Sequence, residues 1–205
     1  MKHESINIDD EIFRFIYIAA MRDAVIQLAY KGEKKCLTEL DIMSSLKGEI
    51  EPLIHKVLNN EYLSQDEYDE DFLKTTIHIC KCINDTAKNN EFTFGNAQKL
   101  INIMLKYFYI SSYRNNNSRE KFRFCHCPMD QQLLKKIWNN REKIDSDIIL
   151  GNYDCFLKSW GKEDFEEDNN GNIVFPKRYK LFQQAVRCLA EKKGLNPLEY
   201  DYYVW

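Results

Sequence analysis

The run Phe94-Gly95-Asn96-Ala97-Gln98-Lys99-Leu100-Ile101-Asn102-Ile103-Met104-Leu105-Lys106-Tyr107-Phe108-Tyr109-Ile110 decides the fold. Asn96 to Ser111 reads as a helix that is apolar almost all the way round. Such a helix is normally surrounded by protein. Other helices must cover it, which predicts a bundle. Its few polar residues cannot all reach water. Gln98, Asn102 and Lys106 recur at four-residue steps and share one stripe. Buried amides need hydrogen-bond partners, and a buried ammonium needs a counter-charge. Those partners must come from elsewhere in the chain.

Further helices are predicted on both sides. The first runs from about Asp9 to Tyr30, with Ile12, Phe15, Ile16, Ala19, Ile26 and Ala29 as its apolar stripe and Gly32 at its end. Thr38–Leu46 and Glu51–Asn59 read as two short helices separated at Gly48. Asp69–Ala87 reads as a longer one carrying Leu73, Ile77, Cys80 and Ile83, followed by a polar linker, Lys88–Glu91. Downstream, helices are expected from Pro128 to about residue 142, from Asp145 to Trp160, from Lys177 to Lys193 and after Asn196-Pro197. Asn169-Asn170-Gly171-Asn172 is a turn signal, so a small hairpin near 165–176 is the most strand expected. The expected fold is mainly α: a single-domain helical bundle over 1–205, any subdivision falling near residue 90.

Composition agrees. Gly 7 and Pro 4 make 11 of 205 residues, about 5% where roughly 12% is usual, too few for the turns of an all-β fold. Lys+Arg 29 against Asp+Glu 32 gives a net charge of −3, which excludes a globally basic nucleic-acid binder but not a local basic patch. The start is polar, with no signal-peptide core, and the longest apolar run, Phe15–Met21, is too short to cross a membrane. Seven cysteines, an odd number, point to free thiols in a reducing cytoplasm. The bias towards Asn, Lys and Ile suggests an AT-rich genome, bacterial or phage.

Polar groups concentrate in one region. Arg119-Glu120-Lys121-Phe122-Arg123-Phe124-Cys125-His126-Cys127-Pro128-Met129-Asp130 follows the apolar helix. Asp130 lies at the start of the next helix, where a carboxylate suits the dipole. It is placed to orient His126 or to pair with Lys106. The functional reading is a cleft lined by Gln98, Lys99, Asn102, Lys106, His126 and Asp130, with Arg119 and Arg123 at its mouth. Against it stands a plain reading, a buried polar network that fixes the packing of two helices.

Phe94-Gly95-Asn96-Ala97-Gln98-Lys99, Asn102, Leu105-Lys106-Tyr107 and His126-Cys127-Pro128-Met129-Asp130 resemble the motifs of a family of uncharacterised bacterial proteins. The pattern is Gly-x-Ala-Gln-Lys-x-x-Asn, then Leu-Lys-Tyr, then His-x-Pro-x-Asp, with an acidic-aromatic ending like Leu198-Glu199-Tyr200 and Trp205. It covers roughly residues 92 to 205. The resemblance implies that these words form one unit, and it implies no activity.

Three chemistries compete, and the sequence leaves open whether the chain is an enzyme. The preferred one is binding of a phosphate-containing ligand or nucleic acid. Gln98 and Asn102 would supply hydrogen bonds, Lys99, Lys106, Arg119 and Arg123 charge, and the basic 113–127 loop aromatics for RNA or a nucleotide. The enzyme alternative resembles metal-independent ribonucleases of the HEPN type, with His126, Asp130 and Arg119 as catalytic residues. The last is a non-enzymatic scaffold binding a protein partner or a second copy, for example in antiviral defence. Cys80-x-Cys82 and Cys125-His126-Cys127 lack the usual two-residue zinc spacing, so core thiols are expected and no metal or cofactor. His3, His55 and His78 have no partner in sequence, and Asp164–Asp168 reads as a solvated loop.

Overall fold

The computed structural model describes residues 8–25, 40–87, 92–112 and 118–204. Among them the chain is mainly α. The helices are α1 (Ile8–Val25), α2 (Leu40–Leu58), α3 (Gln65–Ala87), α4 (Phe94–Ser112), α5 (Ser118–Lys121), α6 (Gln131–Asn139), α7 (Tyr153–Phe156), α8 (Lys177–Glu191) and α9 (Pro197–Val204). Two 3₁₀ turns, Arg141–Lys143 and Trp160–Lys162, and two short strands, β1 (Glu166–Glu167) and β2 (Ile173–Val174), complete it. The strands are antiparallel, with Glu166 opposite Val174, so the expected hairpin is present. No described helix is long and apolar enough to cross a membrane. The Lys88–Glu91 linker, Gly32 and the end of the first expected helix lie outside the described residues.

The apolar rod α4 is central, as its composition requires. α1, α3 and the 160–162 turn pack on it, and α2 packs on α3. One buried apolar cluster runs from Phe13 to Tyr200. Burying a large side chain contributes about 1.5–3 kcal/mol, and Tyr17, Phe72, Phe94, Phe122, Trp160 and Phe182 are all fully buried here.

Three local expectations are corrected. The buried stripe of α1 is Phe13, Ile16, Tyr17, Ala20, Met21 and Ala24, while Ile12 and Phe15 face outward, Phe15 at 74% exposure. Both stripes satisfy helical periodicity. The small Ala20 and Ala24 mark the side where α4 comes close, and Asn96 of α4 donates to the Ala24 carbonyl at 2.9 Å.

Gly48 does not divide α2, which is one helix containing Gly48 and Pro52. Both residues lie on the exposed face. Pro52 cannot donate to the Gly48 carbonyl four residues earlier, but water can. Met43, Leu46, Ile50, Leu53, Ile54 and Val57 carry the buried stripe through the gap.

Asp145–Trp160 is not a helix. Gly151 takes a φ of +77°, and Asn152 caps the single-turn α7 by accepting from the Cys155 N–H at 2.9 Å. Phe156 and Trp160 are buried anchors of an otherwise irregular segment.

Gly95 is needed for close approach. A Cβ there would sit 2.0 Å from the Trp160 carbonyl oxygen. Its own N–H donates to the Glu163 carbonyl at 2.9 Å. Thr93 Oγ1 donates to the Gly161 carbonyl at 3.0 Å, locking the start of α4 against the 160–162 turn.

Candidate functional site

The loop from Cys125 to Asp130 is irregular, and Cys125, His126, Cys127, Pro128 and Met129 are buried. Its backbone groups therefore need partners other than a helix or sheet ladder. Two glutamines supply them. Gln98 Nε2 donates to the Met129 carbonyl at 3.0 Å, and its Oε1 accepts from the Met129 N–H at 3.1 Å. Gln183 of α8 does the same at Cys127, accepting from the N–H at 3.0 Å and donating to the carbonyl at 2.8 Å. Each side-chain amide acts as a short length of neighbouring strand.

Asn102 extends the network. Its Nδ2 donates to Gln98 Oε1 at 3.1 Å and to the Tyr179 hydroxyl at 3.1 Å. Its Oδ1 is a buried acceptor with no donor among the described residues. Gln98 and Asn102 are fully buried. Gln98 serves the loop backbone, and Asn102 serves Gln98 and Tyr179; both face the interior and not a ligand surface.

His126 is 2% exposed. Tyr68 and Phe72 stand edge-on to its ring, with centroids at 5.2 and 4.8 Å. Burial pushes its pKa down to about 4, against the opposing Asp69 hydrogen bond, so the imidazole is neutral near pH 7. The network assigns its tautomer: Nε2–H donates to Asp69 Oδ1 at 2.8 Å, and Nδ1 accepts from the Tyr179 hydroxyl at 3.0 Å. Asp69 is partly buried, which alone would raise its pKa. Donation from His126 and Gln65 and the nearby Arg187 charge hold the carboxyl below its usual range.

The expected pairings of Asp130 are corrected. It is the N-cap of α6, and its Oδ1 accepts from the Gln132 N–H at 3.0 Å and the Leu133 N–H at 2.9 Å. Asp69 takes the His126 role. Lys106 pairs with the buried Asp201 of α9 and lies 4.4 Å from the Tyr202 ring.

The two arginines are tied to the protein. Arg119 Nε donates to Glu199 at 2.9 Å, and its guanidinium also meets the Gly194 carbonyl. Arg123 donates to Asn60 and Glu120, each at 2.7 Å, and stacks on Phe124. Neither lines the pocket described next, and among the described residues Arg119 and His126 share no partner. Residues 113–117 of the expected basic loop lie outside the described residues.

Lys99, Lys106 and Asp130 do meet. With Asp23, Asp201, Tyr107 and Tyr202 they line a pocket of ≈ 360 Å³ between α4, α9 and the start of α6. The Lys99 ammonium lies 4.5 Å from the centroid of the Trp160 ring. Among the described residues no carboxylate stands within ion-pair distance of it. Burial lowers its pKa, and the more distant Asp130, Asp23 and Asp201 charges oppose that shift.

Sequence reasoning missed Asp69, Tyr179, Gln183, Asp201 and Asp23. A signal existed for Gln183, an amide on the apolar stripe of Tyr179, Phe182 and Val186. Nothing local marked Asp69 as the partner of a histidine 57 residues away. Among the described residues, no three His, Cys, Asp or Glu side chains converge on a metal-sized site. Cys80, Cys125 and Cys127 are buried thiols. No family model, curated protein or solved structure matches the chain.

Proposed function

We propose that the chain binds a small, singly phosphorylated ligand of nucleotide type in the Lys99 pocket. The observation that carries this reading is the Lys99 ammonium: half-buried, backed by Trp160, facing the pocket and without an ion-pair partner among the described residues. A buried cation of that kind favours an anion. Charge sets the size of the anion. Lys99 and Lys106 against Asp23, Asp130 and Asp201 leave the lining at net −1. One phosphoryl group on Lys99 is compatible with this, and a triphosphate is repelled. Hydroxyl or amino donors of the ligand suit Asp23 and Asp130, and Tyr107 and Tyr202 offer apolar walls.

Calorimetric titration with nucleoside 5′-monophosphates, triphosphates and unphosphorylated nucleosides tests this. The monophosphate binds best, and Lys99→Met weakens it about 10- to 150-fold, the worth of a hydrogen bond to a charged group. Absence of monophosphate binding, or equal binding by Lys99→Met, overturns the reading. The ribonuclease alternative gains nothing from the geometry, because His126 is enclosed and Arg119 is engaged elsewhere.

A specific surface favours the scaffold alternative. Ile12, Phe15, Ile16 and Ile110 line a second, apolar pocket of ≈ 600 Å³ between α1 and α4. A helical apolar stripe can pair with itself about a two-fold axis, so the proposed occupant is a second copy of the chain. Sedimentation of the wild type and of Phe15→Ser decides it: a dimer that Phe15→Ser dissociates supports this reading, and a monomeric wild type removes it.

A further inference from the structure

A different face carries a stronger anion signature. The C-terminal ends of α6 and α8, the 141–143 turn and α9 enclose a groove of ≈ 430 Å³ lined by Lys136, Lys143, Lys192, Lys193, Tyr200 and Tyr203. Among the described residues no carboxylate lines it. Lys192 is held at its edge, donating to Asp145 and to the Lys143 carbonyl, each at 2.6 Å. Lys143 donates to the neutral Asn140 side chain at 3.0 Å. Lys193 lies 5.4 Å from the Tyr203 ring, and Lys136 has no carboxylate within ion-pair distance among the described residues.

The charge count decides the sign of the groove. Four ammonium groups face Asp145 and the C-termini of α6, α8 and α9, each terminus counting for about half a negative charge. About one and a half positive charges remain. Tyr203 leans on the Tyr200 ring, centroids 6.1 Å apart, and at 59% exposure still presents ring surface to solvent. The volume lies in the usual range for small-ligand sites, about 300–1,000 Å³. Lysines beside an exposed aromatic are the elements by which proteins hold single strands: cations on the phosphates and a ring under a base.

We infer that this groove binds single-stranded nucleic acid, with Lys136, Lys143 and Lys193 on consecutive phosphates and Tyr203 stacked on a base. The inference is independent of the Lys99 pocket, which lies on other residues. It also moves nucleic-acid recognition away from Arg119 and Arg123, whose guanidinium groups already serve the fold.

The test is fluorescence anisotropy of a short labelled oligouridine. Three phosphate contacts predict a log–log salt slope of about −2, so raising salt from about 50 to about 200 mM weakens binding roughly 20-fold. The double variant Lys136→Glu/Lys193→Glu abolishes binding, and Tyr203→Ala weakens it about tenfold. All three positions are exposed, so circular dichroism should show folded variants. Lys99→Met leaves oligouridine binding unchanged, which separates this groove from the other pocket. Binding that ignores salt, survives the double charge reversal or is absent in the wild type overturns the inference. So does tight binding of inorganic phosphate or uridine monophosphate by the Lys99→Met variant without binding of the oligomer.

Discussion

His126 donates its Nε2 proton to Asp69 across 2.8 Å, joining the loop before α6 to the second turn of α3. On the other side of the ring Tyr179 donates to Nδ1, and Asn102 donates to Tyr179. A hydrogen-bonded chain thus runs from a partly exposed carboxylate into the centre of the bundle. It requires a neutral imidazole, because a protonated ring has no lone pair for the Tyr179 hydroxyl.

That requirement makes stability depend on pH. The folded pKa of His126 is about 4 against 6.5 for the free side chain. Between these values the unfolded chain binds more protons, so stability rises with pH across the window and falls as acid is added. The loss between pH 7 and pH 5 amounts to about 2 kcal/mol. The depressed Asp69 carboxyl adds a loss of the same sign at lower pH. Urea titrations of the wild type and His126→Gln check this: the variant is less stable at pH 7 and flatter from pH 7 to pH 5. Parallel profiles would show that His126 is not the titrating group.

Two glycines predict opposite effects of alanine. Gly95→Ala forces a Cβ to 2.0 Å from a backbone oxygen, and overpacking of this kind costs about 1–3 kcal/mol. Gly48→Ala meets nothing within 4 Å and stabilises the middle of α2 by about 0.5–1 kcal/mol. Denaturant midpoints of the two variants should therefore move in opposite directions.

Gln183 serves the loop through both ends of its amide. Gln183→Met leaves the Cys127 N–H and carbonyl short of partners and costs about 1–3 kcal/mol. Gln183→Glu costs more, because it sets a carboxylate oxygen against the Cys127 carbonyl. Wild-type stability of Gln183→Met would mean that Gln183 contributes volume alone.

Asp130 caps a helix, so Asp130→Asn keeps the acceptor and changes stability by a few tenths of a kcal/mol, whereas Asp130→Ala costs about 1 kcal/mol. Neither alters the pH profile attributed to His126. A changed profile in Asp130→Ala would restore it as a partner of the imidazole.

The mainly α bundle was legible in the sequence because α4 is apolar on every side and therefore needs a coat of other helices. The same logic showed that Gln98, Asn102 and Lys106 need partners. It did not show which. Their partners, Met129, Tyr179 and Asp201, lie 31, 77 and 95 residues away, and helical spacing carries no information over that range. Asp130 was favoured because it is near His126 in sequence, yet its oxygen is claimed by the nearer N–H groups of its own helix. The outward stripe of α1 and the break expected in α2 failed for a different reason: periodicity and breaker residues say what a helix tolerates, and packing chooses among the options.

The two-pronged amides at Cys127 and Met129 have a consequence for motion. Backbone N–H groups outside helices and strands usually trade hydrogen for deuterium quickly, yet these two point into fully enclosed side-chain acceptors. Their isotope exchange should be as slow as that of the long helices, opening only when the whole bundle comes apart. A stretch that looks like coil is then the stiff keel against which α4 and α8 are set.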